Sequence, residues 1–384
     1  MTSNKYIDIM YALHRQGAVL PATWADEALC VALTRRLTGV RMDRKPTIRD
    51  IAREAGVSDT AVSLAFQSNS RLSKETREKI LAIAKTLNYV PNRLARTLRY
   101  GDTRTIGFVV NDITDPFYSR MIRSAEEIAL ALGYSVLFAE SNWDPDKEVR
   151  IVSNMIESRV QGIIMCFCEK TQESLGLIHQ YSLPVVAVDT FPSFYKGPFV
   201  CNDMLQAGHI AAQHLVDVGC RKPVFFNATA SMARFSSLEG LLRGFRKTLR
   251  ARGVEFDESS VVSADLTVEG GIHGFSSLTA SGKVFDGVFC VNDLCAFGVI
   301  DAAERCGYTV GRDLAVMGID NLELSTIGRI SLTSIDQPYD RIIVLATQAL
   351  IQCMERREPC TIRRKLKPTL VVRDSTRLER VSRS

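Results

Sequence analysis

From residue 106 to residue 317 the chain repeats one unit: a short apolar run that ends on polar residues, followed by an amphipathic helical pattern. The runs are 106–110, 135–138, 162–165, 185–188, 223–226, 288–291 and 315–317. A strand that is apolar throughout needs cover on both faces, and helices between successive strands supply it in parallel α/β sheets. Units this numerous suit two lobes better than one. Ligands in such folds settle at the carboxyl ends of the strands. Here those ends are Asn111-Asp112 with Asp115-Pro116-Phe117-Tyr118, then Asp189-Thr190, Asn202-Asp203, Asn227, Asp265, Asn292-Asp293 and Asp320-Asn321. Carboxylates and amides that accept from hydroxyls, beside the ring faces of Phe117 and Tyr118, match a polar ring-shaped ligand such as a sugar or nucleobase. Each Asp or Asn also has a structural reading, as the cap of the helix that follows.

The chain has 384 residues with 48 basic and 43 acidic side chains, a formal charge of +5. The excess is local. Residues 42–101 carry 12 basic against 6 acidic side chains, residues 1–41 carry 5 against 3, and residues 102–384 carry 31 against 34. A basic head on a mildly acidic body fits a polyanion-binding module joined to a regulatory or catalytic partner, although a solvated helical face has the same balance. With 46% hydrophobic residues the chain can bury a sizeable core, which excludes disordered, collagen-like and small disulfide-built classes. No apolar run reaches the ~18 to 20 residues that cross a bilayer, and no secretory leader pattern opens the chain. A cytoplasmic location without a membrane partner is expected. The ten cysteines lie scattered in apolar stretches. The close pair Cys166 and Cys168 has one spacer, unlike zinc-site spacing, so reduced core thiols and no metal are expected.

Within the basic block, Thr47 can cap a helix carrying Ile48, Ile51, Ala52 and Ala55 on one face, with Asp50 at the positive end of its dipole. Gly56 ends that helix, Val57 plugs the core, and Ser58 caps a second helix through about Phe66. Val62 faces inward beside Ala52 and Ala55, which leaves Asp59, Thr60, Ser63, Leu64 and Gln67 outside. Ser73 caps a third helix with Ile80, Ile83, Ala84 and Leu87 inside. This is helix-turn-helix grammar, and short polar side chains on the second helix suit the major groove. After Pro91, Asn92 can cap a two-turn helix striped by Leu94, Ala95 and Leu98. Isolated helices shorter than ~12 to 15 residues are marginal in water. A twin copy and a DNA minor groove would stabilise this one, with Leu98 as wedge and Arg93, Arg96 and Arg99 beside phosphates; the alternative is a linker helix packed on the body.

These residues resemble the lactose repressor/galactose repressor (LacI/GalR) family of bacterial transcription regulators. The matching strings are Thr47-Ile48-Arg49-Asp50-Ile51-Ala52, Ala55-Gly56-Val57-Ser58, Ala61-Val62-Ser63, Thr76-Arg77-Glu78-Lys79-Ile80, Leu87-Asn88-Tyr89-Val90-Pro91-Asn92 and Ala95-Arg96-Thr97-Leu98. By resemblance, Thr47, Ser58, Asp59, Thr60, Ser63, Leu64, Gln67, Ser73 and Thr76 fall at operator-contacting places, and Asn92, Ala95 and Leu98 at the minor-groove hinge. The resemblance implies a two-lobed periplasmic-binding-protein-like core that dimerises and binds an effector between its lobes. Its effector places fall on Phe117, Tyr118, Asp189, Asn292, Asp320 and Gln337. Two departures stand out. Leu64 occupies the place of a polar or basic base reader, which favours contact with a thymine methyl. The family's arginine three residues before a Gly-Phe pair is absent from Leu241-Leu242-Arg243-Gly244-Phe245, so Arg234 or Arg243 would have to supply the effector's cation.

The expected organisation is an all-α helix-turn-helix head at 42–90, a hinge helix at 91–102, a two-lobed α/β effector and dimerisation core at 103–376 and a basic tail at 377–384. Residues 1–41 read either as an over-extended reading frame, with Met42 the functional start, or as a poorly ordered arm. His209 and His214 read as a solvated helix face, and Gly270-Gly271-Ile272-His273-Gly274 as a helix start packed against ligand or sheet. No metalloprotease, Walker or nucleophile-elbow motif occurs, so no catalysis and no cofactor are expected. The expected function is a homodimeric repressor on double-stranded, pseudo-palindromic operator DNA with half-sites ~34 to 36 Å apart, controlled by a small, sugar-like effector. The alternative is a two-lobed sugar-binding or sugar-modifying protein whose basic head serves assembly.

Overall fold

The computed structural model describes residues 46–66, 72–90, 103–168, 171–192, 194–229 and 236–378. The chain divides into two compact units, 1–93 and 94–384. In the first, local chemistry delimits three helices: α1 (Ile48–Ala55), α2 (Asp59–Ala65) and α3 (Lys74–Thr86). The Asp50 carboxylate accepts from the Thr47 N–H at 2.9 Å, and Gly56 ends α1 at φ 70°, where a side chain would be strained. Ser58 Oγ accepts from Ala61 N at 3.1 Å and Ser73 Oγ from Thr76 N at 3.2 Å, satisfying first-turn donors of α2 and α3. Ile51, Ala52, Ala55, Val62, Ala65, Ile80 and Ala84 form the core. Two cations serve this unit internally: Lys79 Nζ donates to the Ala55 carbonyl at 2.9 Å and Arg77 Nε to the Ala65 carbonyl at 3.0 Å. Both neutralise helix C-termini, so part of the basic excess is structural.

The second unit holds two six-stranded sheets. The first runs β11-β5-β4-β3-β1-β2, from β1 (Thr105–Val110), β2 (Ser135–Glu140), β3 (Ile163–Met165), β4 (Val185–Val188), β5 (Phe199–Asn202) and β11 (Arg363–Leu366). The second runs β12-β10-β9-β8-β6-β7, from β6 (Pro223–Ala228), β7 (Val261–Ala264), β8 (Gly287–Cys290), β9 (Ala315–Ile319), β10 (Thr333–Asp336) and β12 (Thr369–Val371). All pairings are parallel except β10 with β12. The two orders repeat one plan. Helices α4 (Pro116–Ala131), α5 (Pro145–Glu157), α6 (Gln172–Gln180) and α11 (Tyr339–Arg356) cover the first sheet. Helices α7 (Met204–Asp217), α8 (Ser236–Ala251), α9 (Val268–Ala280) and α10 (Asp293–Arg305) cover the second. The chain thus crosses between lobes after β5, after β10 and between β11 and β12.

Cores lie on both faces of both sheets, as the apolar runs require: Phe108 and Val110 point into one cluster and Val109 into another. Helices α7 and α8 cross backbone to backbone, because a Cβ on Gly208 would lie 2.0 Å from the Leu241 carbonyl and one on Gly244 2.1 Å from the Leu205 carbonyl. The structure corrects the reading of the two histidines. His209 and His214 are half-buried and bonded to Thr248 and Thr376, within the packing between α8 and the C-terminal segment. The glycine run starts α9 at a sheet and a helix, with Gly274 against Phe226 of β6 and Gly271 against the Cys295 carbonyl of α10.

Candidate functional site

The carboxyl ends of strands from both sheets meet at one cleft of about 290 Å³. From the first lobe come Asp112 and Asp115 after β1, Phe117 and Tyr118 at the start of α4, Trp143 after β2, and Asp189 with Thr190 after β4. The second lobe contributes Ser237 and Leu238 of α8, Asp265, Leu266 and Thr267 after β7, Val291 and Asn292 after β8, and Asp320 after β9. Gln337, on the crossing after β10, and Met204, on the crossing after β5, complete the lining. Phe117, Tyr118, Asp189, Asn292, Asp320 and Gln337 are therefore brought together; Arg234 lies outside the described residues. Arg243 does not replace it. That side chain lines a separate groove on the outer face of α8 with Arg246, Lys247 and Arg250, and Leu241 is fully buried in the core of the second lobe.

The polar strand ends sort into two groups. Asn111 joins Thr190 and Ser141, Asp203 caps α7, and the side-chain Oδ1 of Asn227 accepts from Ala228 N. Asp293 is fully buried and accepts from Leu322 N, Ser325 and Ser334, while Asn321 donates to Asp336. These serve the fold. Asp115 and Asn292 do both, capping α4 and α10 while lining the cleft. Backbone strain clusters here too: Asn142 (φ 52°), Trp143 (φ 59°), Asp189 (φ 56°), Asp320 (φ 116°) and Asn321 (φ 49°) all follow strand ends. Non-glycine residues held in such conformations concentrate at functional sites.

A chain of contacts links the lobes behind the cleft. Tyr118 OH donates to Asp189 at 3.2 Å, and the Phe117 ring stands edge-on to Tyr118 at 4.7 Å and to Tyr339 at 4.6 Å. Tyr339 OH donates to the Asp320 carbonyl at 2.7 Å and carboxylate at 3.1 Å, Gln337 donates to the same carboxylate at 2.6 Å, and Asn202 donates to Gln337. Burial pushes Asp189 up to about 7 and Asp115 to about 6, with Asp115 and Asp112 respectively adding like charge. Burial likewise raises Asp320 well above the usual carboxylate range, helped by Asp115 and Asp293. Sequence reasoning missed Trp143, Tyr339, Met204 and Leu238. Trp143, one of two tryptophans, stood beside the polar turn after a strand run, and Tyr339 directly follows Gln337-Pro338.

In the first unit, Ser58, Asp59 and Thr60 are exposed at the start of α2, Ser63 and Leu64 are half-buried one turn on, and Ser73 and Thr76 open α3. Thr47 caps α1. Gln67, Asn92, Ala95 and Leu98 lie outside the described residues. Asp59 is paired across the turn with exposed Arg49 at 3.6 Å, a cation that the sequence reading left unassigned.

Two family models match this arrangement: bacterial regulatory proteins of the lacI family over residues 47–92, and the periplasmic binding protein-like domain over residues 212–376. Catabolite control protein A of Priestia megaterium is 32% identical over 81% of this chain and 93% of its own length. The ribose operon repressor of Escherichia coli is 30% identical over 86% and 99%. The lac repressor dimer bound to operator and the anti-inducer ONPF aligns over 87% of this chain and 99% of its own, with a TM-score of 0.78 at 24% identity. A capped three-helix unit, a doubled parallel sheet with an inter-lobe cleft, and these likenesses over most of the chain agree: the chain belongs to the LacI family of bacterial transcription regulators.

Proposed function

We propose that this regulator is a homodimeric, cytoplasmic repressor whose grip on a pseudo-palindromic operator is set by a small polar effector in the inter-lobe cleft. The observation that carries the reading is the cleft itself, where side chains from the strand ends of both sheets converge, so that a ligand there acts on the relative position of the lobes. Phe117, Tyr118, Asp189, Asn292, Asp320 and Gln337 are its proposed effector contacts. Thr47, Ser58, Asp59, Thr60, Ser63, Leu64, Gln67, Ser73 and Thr76 are proposed to meet the operator major groove and phosphates, and Asn92, Ala95 and Leu98 its minor groove. The cleft is read as a binding rather than a catalytic site because the relatives are named as a control protein and a repressor.

Self-association is supported by the two edge strands that close corresponding ends of the sheets. Beside β2 stand exposed Leu130, Leu137 and Phe138, and near β7 stand exposed Val268 and Val284. Uncovered apolar edges of this kind invite a partner, and a twofold pairing presents the same patch from each copy. The test is a titration of the purified chain onto upstream-region and random duplexes at several salt concentrations, with and without sugars. A specific operator survives salt that removes non-specific binding, and Asp320→Ala keeps that binding while losing the response to sugar. Equal affinity for both duplexes at every salt concentration refutes the operator reading.

A further inference from the structure

Five carboxylates line the cleft, Asp112, Asp115, Asp189, Asp265 and Asp320, and among the described lining residues there is no lysine, arginine or histidine. Their hydrogen bonds come from neutral donors. Asp112 takes Thr114, Asp115 takes the Phe117 N–H, Asp189 takes Tyr118, and Asp320 takes Gln337 and Tyr339. Asp115 lies within electrostatic reach of both Asp189 in its own lobe and Asp320 in the other. Asp320 is buried, Asp112, Asp115 and Asp189 are half-buried and Asp265 is exposed; carboxylates gathered away from water without a cation are costly to ionise. A ligand that brings the cation relieves that cost on several carboxylates at once, whereas a neutral polyol satisfies hydrogen bonds and leaves the charge, and an anion adds to it.

We propose that the cleft selects a polyhydroxylated ligand carrying an ammonium group, an amino sugar or amino polyol of about one monosaccharide ring, and rejects phosphorylated and carboxylated sugars. This rests on the reading of the cleft as the effector site. The volume of about 290 Å³ sits at the small end of ligand pockets. Trp143, Phe117, Leu238 and Val291 give the ring its apolar walls, Thr190, Asn292 and Gln337 serve its hydroxyls, and the ammonium sits nearest Asp115, the first-lobe carboxylate whose charge acts on Asp320 of the second lobe.

The test uses the full-length chain in calorimetric titrations at pH 7 with glucosamine, galactosamine and aminopolyols, each beside its parent, its N-acetyl derivative and its 6-phosphate. At least one amine is expected to bind tenfold or more tighter than its parent and its N-acetyl form, and in Asp115→Asn, where asparagine keeps the cap, that ratio falls towards one. A parent sugar, N-acetyl sugar or nucleobase that binds as tightly as any amine and alters operator affinity overturns the amine class while leaving the effector site standing. Binding of a 6-phosphate that is lost in Arg234→Ala does the same, since it places a cation in the cleft. No binding by any compound, and no change in operator affinity, overturns both readings.

Discussion

Replacing Tyr339 by phenylalanine isolates one hydroxyl that ties the lobes together. The side chain is 1% exposed, its ring is held edge-on by Phe117 at 4.6 Å, and its OH serves Asp320 at 2.7 Å and 3.1 Å. Phenylalanine keeps the ring contacts. A hydrogen bond to a charged partner contributes about 1.5 to 3 kcal/mol. Here the proton is shared between carbonyl and carboxylate, and Gln337 still serves the carboxylate, so the lower end, about 1.5 kcal/mol, is expected. The sign of the pH dependence follows from Asp320, whose carboxyl is already raised by burial and is lowered by the Tyr339 bond. Losing that bond raises it further, so stability that falls as pH rises through the Asp320 titration falls further in the mutant. At low pH the carboxyl is protonated in both proteins and the difference narrows. Urea unfolding of wild type and Tyr339→Phe at pH 5 and pH 8 measures this, with Tyr339→Leu as a control that also loses the ring. A penalty below about 0.5 kcal/mol, or one that is smaller at the higher pH, refutes the reasoning.

Without ligand, stability should fall as pH rises from about 4 to about 7, because Asp115 and Asp189 titrate at about 6 and about 7 when folded and near 3.8 when unfolded; the folded state then holds more protons across that window. Asp189→Asn should flatten the profile measured by thermal melting, and an unchanged slope would count against the uncompensated carboxylate. Gly244→Ala, whose Cβ would lie 2.1 Å from the Leu205 carbonyl, should cost roughly 3 kcal/mol, the upper end for overpacking, since backbone cannot swing aside; a melting point within a degree of wild type would mean that α7 and α8 separate freely. Phe138→Asp, at an exposed position of β2, should shift the chain towards monomer in sedimentation and weaken operator binding, and an unchanged dimer would move the interface elsewhere.

How far the sequence could be read depended on whether a residue's role was local. Caps were legible: Ser58, Ser73, Asp115 and Asn292 each bond an amide within three residues. So were strands buried on both faces, such as β1 and β4, whose apolar runs declare themselves. Strands β10, β11 and β12 went unread, and β5 and β7 were read only at their polar ends, because pairing, not pattern, makes them strands. The Arg-Arg-Lys-Leu run of β11 is mostly exposed at a sheet edge and depends on β5, with Arg363 over the Phe199 ring at 5.4 Å. The same limit hid Tyr339. Its partner Asp320 is nineteen residues away and in the other lobe, so nothing nearby distinguishes it from any tyrosine at a helix start. His209 and His214 were misread for the converse reason: their spacing was visible, but Thr248 and Thr376, which bury them, were remote in sequence.

The placement of the Asn202, Gln337, Asp320 and Tyr339 array explains how the cleft can report its occupancy. Two of its members sit on lobe crossings, Asn202 at the end of β5 and Gln337 just after β10. Asp320 belongs to the second lobe, and Tyr339 opens the helix that covers the first. Asn202 Oδ1 has no partner among the described residues although the side chain is buried, so the array is one bond short of satisfied. A polar group left unpaired in a low-dielectric interior is costly. Under the proposed function, a ligand that engages Asp320 and Gln337 competes for the bonds at these crossings, and its differential affinity for two lobe arrangements would set how far the lobes shift. Asp320 stands at φ 116°. Strain of this kind persists only where the surroundings over-determine it, and here Gln337 from the crossing and Tyr339 from the helix that covers the first lobe both hold the Asp320 carboxylate.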